Sequence, residues 1–377
     1  MSQPINLLML VLNLDVGGQE RMLIELATGL QSTEYRPMIC CLETRGELAS
    51  VAESNGIEVL ALERRSGRSL GAVRQLRKLL RSRKVGLLHS HNEPALLFGA
   101  AATAATRVKH VHTKHGMGSA SSLAQLLVRA ALRTVDFAVS VSDELAERLK
   151  GEGVAEHRIA AISNAINLTP FLAIHREPLR STGSGSRQSG PVIGHVARLS
   201  EIKNQKLLLQ VFSRFRKAVP TAKLVIVGDG PERSQLENIA HELQVADAVQ
   251  FLGQRTDIPD LLESFDWFAL TSRSEGTPIS VIEAMAAGLP VTATDVGGLA
   301  ALVKHDQTGL LASLDDSDTQ LENWLRLAGD ETARTRMGAR ARDFVTANYG
   351  LSKMVYAYAS LYHQALASPR ERVARVD

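Results

Sequence analysis

Short apolar runs alternate with helical patterns along the whole chain, and the alternation happens twice. In the first half the runs fall at Ile5–Leu12, Met38–Leu42, Ile57–Leu62, Val85–His89, Val108–Thr113, Phe137–Val141 and Ile159–Ile162. A strand that is apolar throughout has to be covered on both faces, and a helix following each strand supplies that cover. This is the rhythm of an α/β protein with a doubly wound, mostly parallel sheet. It breaks at residues 176–191, REPLRSTGSGSRQSGP, a Ser- and Gly-rich stretch that reads as an exposed linker. It restarts at Val192–Val196, Leu224–Val227, Val249–Leu252, Trp267–Leu270 and Val291–Ala293. The predicted organisation is two Rossmann-like domains, 1–175 and 192–350, facing a cleft at their C-terminal strand edges. A last helical pattern at 351–367 is expected to cross back to the first domain, before a flexible tail at 368–377.

Composition narrows the class. A length of 377 residues suits two domains, and 45% apolar content supports packed cores. The two cysteines, Cys40 and Cys41, are adjacent in an apolar run. They give no disulfide framework and no metal pattern, and they fit a reducing cytosol. Ile5–Leu12 is too short, and lacks the basic lead, for a signal peptide. No run approaches the roughly 18 apolar residues that span a bilayer. These features predict a cytoplasmic protein. A formal charge of +3 gives no global sign of nucleic-acid binding.

The segment Glu275-Gly-Thr-Pro-Ile-Ser-Val-Ile-Glu283, followed by AMAAGLPVTATDVGG, carries the sharpest chemical signal. Thr277 suits a helix N-cap, Pro278 the first helical position and Gly288 the residue past the end. The helix is apolar nearly all round (Ile279, Val281, Ile282, Ala284, Met285) and should be buried. A carboxylate there is costly unless something hydrogen-bonds it, so Glu283 needs a partner. Glu275 sits beside a helix N-terminus, which attracts anions. A nucleotide sugar supplies both complements, ribose hydroxyls for the acid and a diphosphate for the helix end.

Three further segments precede this one. Gly194-His-Val-Ala-Arg198-Leu-Ser-Glu-Ile-Lys203 runs from a strand into a loop offering a guanidinium and an ammonium. Val227-Gly-Asp-Gly-Pro-Glu232 is a strand, a glycine turn and a helix start. Arg233 stands where a dinucleotide fingerprint has its third glycine, which argues against a nicotinamide site. Phe251-Leu-Gly253-Gln-Arg-Thr-Asp257 is another strand-to-loop edge.

In this order, the R-x4-K, VGDGP, FLG and E-x7-E segments resemble the retaining family-4 glycosyltransferases of GT-B architecture. The first half adds Asp15-Val-Gly17-Gly18-Gln-Glu-Arg21 and His115-Gly116. The resemblance implies transfer of a sugar from a nucleotide-diphosphate donor to a glycan or lipid-linked acceptor, without metal or other cofactor. The setting it suggests is bacterial polysaccharide, lipopolysaccharide or glycolipid assembly. It assigns Arg198 and Lys203 to the donor diphosphate, Glu283 to the ribose and Glu275 to the donor sugar. Backbone around Gly276, Thr277, Pro278 and Ile279 would hold phosphate, and Gly253, Gln254 and Arg255 would border the base. Gly17 and Gly18 would let the first-domain loop approach the phosphates, and His115 would lie near the sugar and the attacking hydroxyl. The catalytic set is then His115, Glu275, Arg198 and Lys203. Two competing readings share the architecture: a nucleotide-sugar 2-epimerase and a non-catalytic partner.

Other features have plainer readings. Asp316-Ser-Asp318 matches a D-x-D string, but its place before a helical pattern suits helix capping. His89, His91, His110, His112 and His115 lack accompanying Cys or acidic ligands, so no metal is expected; His89, His110 and His112 read as packing or edge residues, and His91 as a cleft candidate. Residues 64–84 hold nine Lys or Arg and no acid, with Leu70, Val73, Leu76, Leu79 and Leu80 at helical spacing. This is either a surface helix packed on the sheet or a basic amphipathic helix on anionic lipid at the inner membrane face. Leu123–Val135 is similarly apolar, with two arginines.

Overall fold

The computed structural model describes residues 4–64, 69–116, 122–174 and 190–368. The chain forms two compact units, 1–165 together with 351–377, and 166–350. Of the linker assigned to 176–191, only Gly190 and Pro191 fall among the described residues, and the tail beyond Ser368 lies outside them.

The first unit holds seven strands: β1 (Ile5–Val11), β2 (Tyr35–Cys41), β3 (Glu58–Ala61), β4 (Leu87–Ser90), β5 (Lys109–Lys114), β6 (Phe137–Ser140) and β7 (Ile159–Ala161). They pair in parallel in the order β3-β2-β1-β4-β5-β6-β7. The second unit holds β8 (Val192–Val196), β9 (Lys223–Val227), β10 (Val249–Phe251), β11 (Trp267–Leu270), β12 (Val291–Thr294) and β13 (Gly309–Ala312). Their order is β10-β9-β8-β11-β12-β13, again all parallel. Each sheet therefore reverses its winding once, between β1 and β4 and between β8 and β11. Loops leaving the strand ends at such a reversal diverge to opposite faces and open a crevice for ligands.

The strands are apolar because both faces are covered. In the first unit Leu8, Leu10, Met38, Cys40 and Leu88 pack with Leu76, Leu80 and Ala95 from the helices on one side. In the second, Phe215, Trp267 and Trp324 interlock edge to face within a core that also holds Phe212. Gly194 on β8 makes room for a different aromatic ring, since a Cβ there would lie 1.8 Å from Phe265. The helix Leu351–Ala367 belongs to the first unit and packs on the helix Gly18–Leu30. Its Tyr358 and Tyr362 are buried.

The basic segment resolves into the helix Ser69–Ser82, with residues 65–68 outside the described set. Its Ala72, Leu76 and Leu80 are buried and Val73 and Leu79 pack against the same core, so most of the apolar stripe is used in packing on the sheet, while Leu70 is exposed. The helix Ser122–Leu132 differs: Val128, Ala131 and Leu132 are buried, while Leu123, Leu126 and Leu127 are exposed. Among the described residues no helix is long and apolar enough to cross a membrane.

Candidate functional site

The reversal point of the second sheet gathers most of the chemistry. β8 leads into a loop and a single 3-10 turn, Glu201–Lys203, before the helix Gln205–Ala218. Arg198 is exposed on that loop and has no acidic partner among the described residues. Lys203 reaches across to the loop after β11, where its Nζ lies 2.6 Å from Glu275 Oε1. Ser272 Oγ donates to the same oxygen at 2.5 Å. The acid is almost enclosed, at 6% side-chain exposure against 24% for the lysine. Two segments 72 residues apart are thus joined by one ion pair directly over the reversal.

Three layers support the Arg198 loop. His195, fully buried on β8, donates from Nδ1 to Ala269 O at 2.9 Å and accepts from Gln205 Nε2 at 3.2 Å. Gln205 Nε2 also donates to Arg198 O at 2.9 Å. Burial, aided by the nearby Lys203 charge, pushes the His195 pKa down to about 4, so the ring is neutral. The turn after β9 then presses on the loop. Leu199 N donates to Asp229 O at 3.0 Å, and Cβ atoms at Gly228 and Gly230 would fall 2.0 Å from Ala197 O and 2.2 Å from Leu199 O. The VGDGP glycines are close-approach residues that brace the basic loop. Arg233 fills the space of the missing third glycine, pairing with Glu237 and Asp229 and donating to Phe251 O at 3.3 Å.

The loop after β10 joins the same edge. Gly253 has φ +67° and accepts from Gly228 N at 2.8 Å. Gln254 and Arg255 are exposed, and Arg255 forms a bidentate pair with Asp257. After β11, the helix runs Ile279–Ala286, with Pro278 rather than Thr277 at the N-cap. Val281 and Ile282 both donate to Pro278 O, and the extended ψ of Pro278 (119°) keeps it outside the helix. Gly276, Thr277 and Pro278 therefore form the loop leading into the helix. Gly288 takes φ +76° just past the helix end, where Leu289 N donates back to Ala284 O at 3.0 Å. Glu283 is buried on this helix at 8% exposure, in the apolar setting its sequence predicts.

At the reversal point of the first sheet, the loop after β1 ends in Gly17, which caps the helix Gly18–Leu30. Gly17 is extended, at φ −161°, and a Cβ would meet only the flexible end of Glu20. Its backbone shape does not demand glycine. Gln19 Nε2 donates to His91 O, just past β4, at 3.3 Å. His115 lies just past β5, after Lys114, whose ammonium contacts both oxygens of buried Glu152 at 3.0 Å. The His115 pKa is pushed down to about 4 by burial. His115 Nε2 stands 3.1 Å from His91 Nδ1. His89, His110 and His112 belong to the sheet interior. His89 bonds Thr113 Oγ1 at 2.7 Å and the Tyr362 hydroxyl at 2.6 Å, and Ser90 Oγ contacts His110 and His112.

Asp316 caps the helix Ser317–Gly329 by accepting from Thr319 N at 2.9 Å, and Asp318 pairs with Arg214. The D-x-D string is thus a capping feature. Sequence reading did not single out His195 or Gln205, and it left His91 outside the catalytic set.

Comparison with known proteins accords with this architecture. Residues 16–169 match the model of Glycosyltransferase Family 4, and residues 180–344 match that of Glycosyl transferases group 1. Together these cover most of the chain, which belongs to this glycosyltransferase family. The chain is 29% identical over 265 residues to the N-acetyl-alpha-D-glucosaminyl L-malate synthase of Bacillus anthracis, covering 69% of each. It is 27% identical over 300 residues to the UDP-Gal:alpha-D-GlcNAc-diphosphoundecaprenol alpha-1,3-galactosyltransferase of Escherichia coli, covering 76% of this chain and 77% of that one. Among solved structures, Anabaena Alr3699/HepE in complex with UDP and glucose superposes with a TM-score of 0.84 at 21% identity, covering 96% of this chain and all of the other. Both units thus have the Rossmann-like fold of GT-B glycosyltransferases.

Proposed function

We propose that this protein is a metal-independent, retaining glycosyltransferase acting on a nucleotide-diphosphate sugar. The observation that carries this reading is the basic loop at the second reversal point, which holds Arg198, without an acidic partner among the described residues, and Lys203 bonded to buried Glu275. In transfer, the bond from the anomeric carbon to a phosphate oxygen breaks and a bond to the acceptor oxygen forms. The acceptor proton passes to the departing diphosphate, on which negative charge grows. Arg198 and Lys203 stabilise that charge more in the transition state than in the ground state, which is the condition for raising rate. Glu283 takes the ribose hydroxyls, Glu275 the sugar, and the 276–279 backbone a phosphate. Gly253 to Arg255 border the base, while Gly17, Gly18 and His115 serve from the first unit. The bound UDP of the Anabaena protein supports a nucleotide-diphosphate donor, and the name of the Escherichia coli relative supports a lipid-linked acceptor in glycolipid or polysaccharide assembly.

The test is incubation with a panel of UDP-, GDP- and ADP-sugars, with and without candidate acceptors. Release of nucleoside diphosphate that depends on acceptor is expected. Conversion of donor in the absence of acceptor would make the protein an epimerase, and donor binding without turnover would make it a non-catalytic partner.

We further place the first unit on an anionic membrane surface. Exposed Arg74, Arg77, Lys78 and Arg81 line one face of the helix Ser69–Ser82. The helix Glu93–Thr103 packs between it and the helix Ser122–Leu132, which adds exposed Leu123, Leu126 and Leu127. Cations beside unpartnered leucines suit anionic headgroups and the acyl boundary beneath them. Flotation with anionic vesicles but not neutral ones is expected, and absence from both removes this placement.

A further inference from the structure

His91 and His115 form a hydrogen-bonded pair at the strand ends of the first sheet. His91 is fully buried, and its Nδ1 lies 3.1 Å from His115 Nε2. The rings are nearly parallel, 20° apart with centroids at 5.4 Å. The outer nitrogens, His91 Nε2 and His115 Nδ1, are buried and have no partner among the described residues.

His91 has little freedom to move. The His89 ring lies against it at 3.8 Å between centroids, and His89 is locked by Thr113 and Tyr362. Gln19 holds its carbonyl. The next residue, Asn92, caps the helix Glu93–Thr103 by accepting from Ala95 N at 3.0 Å.

Burial keeps both rings neutral. Two neutral imidazoles share two protons among four nitrogens. One proton lies in the bridge and the other on an outer nitrogen, so the tautomer of His115 is tied to that of His91. His89, locked in the sheet interior, satisfies both of its nitrogens. A buried unpaired nitrogen is costly, and this pair carries two of them where a doubly wound sheet receives its ligands.

We propose that His91 is a positioning residue for His115, fixing the ring plane and the tautomer that His115 presents to the sugar. This rests on the assignment of His115 to the sugar made above. His91→Phe keeps a ring but loses the bond, and His91→Asn restores a polar group near the Nδ1 position. Long-range ¹⁵N–¹H spectra of the full chain, without donor, read the tautomer, and the His115 signal is assigned by its loss in His115→Ala. One neutral tautomer is expected in the parent and in His91→Asn, and a mixture in His91→Phe. In transfer assays His91→Phe should lose roughly 10- to 100-fold in kcat with little change in donor KM, and His91→Asn should recover most of it.

An unchanged His115 signal in His91→Phe overturns the inference. So does full turnover of His91→Phe when His115→Ala is inactive. Full turnover of His115→Ala instead removes His115 from the reaction, and the role of His91 with it, while leaving the donor site of the second unit standing.

Discussion

Lys203→Met isolates one of the few enclosed carboxylates of the second unit. The pair is separated by 2.6 Å, which at an effective dielectric of ~20 corresponds to about 6 kcal/mol of gross attraction. Desolvation offsets most of that. A fully buried pair that loses one partner typically costs about 3–5 kcal/mol. Here Lys203 keeps 24% of its side-chain surface in water, and Ser272 still donates to the orphaned oxygen. The expected loss is therefore roughly 1–3 kcal/mol. Glu275→Gln should cost less, because the lysine it releases can turn to solvent. The two substitutions together should cost less than their sum, with a coupling of at least ~1 kcal/mol. The chain's two tryptophans, Trp267 and Trp324, both lie in the second core, so urea unfolding followed by tryptophan fluorescence reads this unit alone. Additive single and double substitutions would refute the claim that the pair stabilises the ligand-free site. The same geometry makes Glu275 a competitor of the donor diphosphate for Lys203. Glu275→Gln should therefore bind free nucleoside diphosphate more tightly while transferring more slowly.

Other expectations follow from the same site. The folded His195 pKa, about 4, lies below the ordinary 6.5, so the unfolded chain binds the extra proton first. The neutral ring's contribution is complete above pH 6.5 and is lost as pH falls towards 4, at most about 3 kcal/mol. The urea midpoint of His195→Asn should accordingly vary less over that window than the parent's, and parallel pH profiles would contradict this. Gly230→Ala drives a Cβ to 2.2 Å from Leu199 O, so it should cost about 1–3 kcal/mol and weaken diphosphate binding by shifting the Arg198 loop. Gly71→Ala, in the first unit, meets nothing within 4 Å and should be neutral or slightly stabilising in thermal melts followed by far-ultraviolet circular dichroism. Arg198→Ala should reduce turnover by about 10²-fold, and Glu283→Gln should mainly weaken donor binding in calorimetry. Unchanged values would displace the diphosphate and the ribose respectively.

Twelve apolar runs read from the sequence are strands in the structure, because a strand covered on both faces leaves a continuous hydrophobic signature. The thirteenth, Gly309–Ala312, is short, opens on glycine and lies at the sheet edge, where that signature weakens. The helix after Glu275 was legible to within one residue at its N-cap, since a loop proline can serve on either side of the boundary. The hydrogen-bond networks were not legible. His91 and His115 are 24 positions apart and meet only through the register of β4 against β5, which no local pattern encodes. His195 and Gln205 read as a strand residue and a helix start; only folding shows that they brace the Arg198 carbonyl. The basic segment read equally well as a surface helix or a lipid-facing one, because an amphipathic stripe looks the same whichever apolar phase it meets.

The helix Leu351–Ala367 closes the first unit from the far end of the chain. Its Tyr362 hydroxyl supplies a partner to His89, and its Tyr358 hydroxyl meets Thr113. During synthesis, the half translated first must therefore wait, its histidine interior unsealed, until the ribosome has produced the second half and the terminal helix has emerged. The later-made unit is complete before the earlier one, and a chain terminated before Leu351 would leave the earlier lobe with an open apolar face for chaperones to guard.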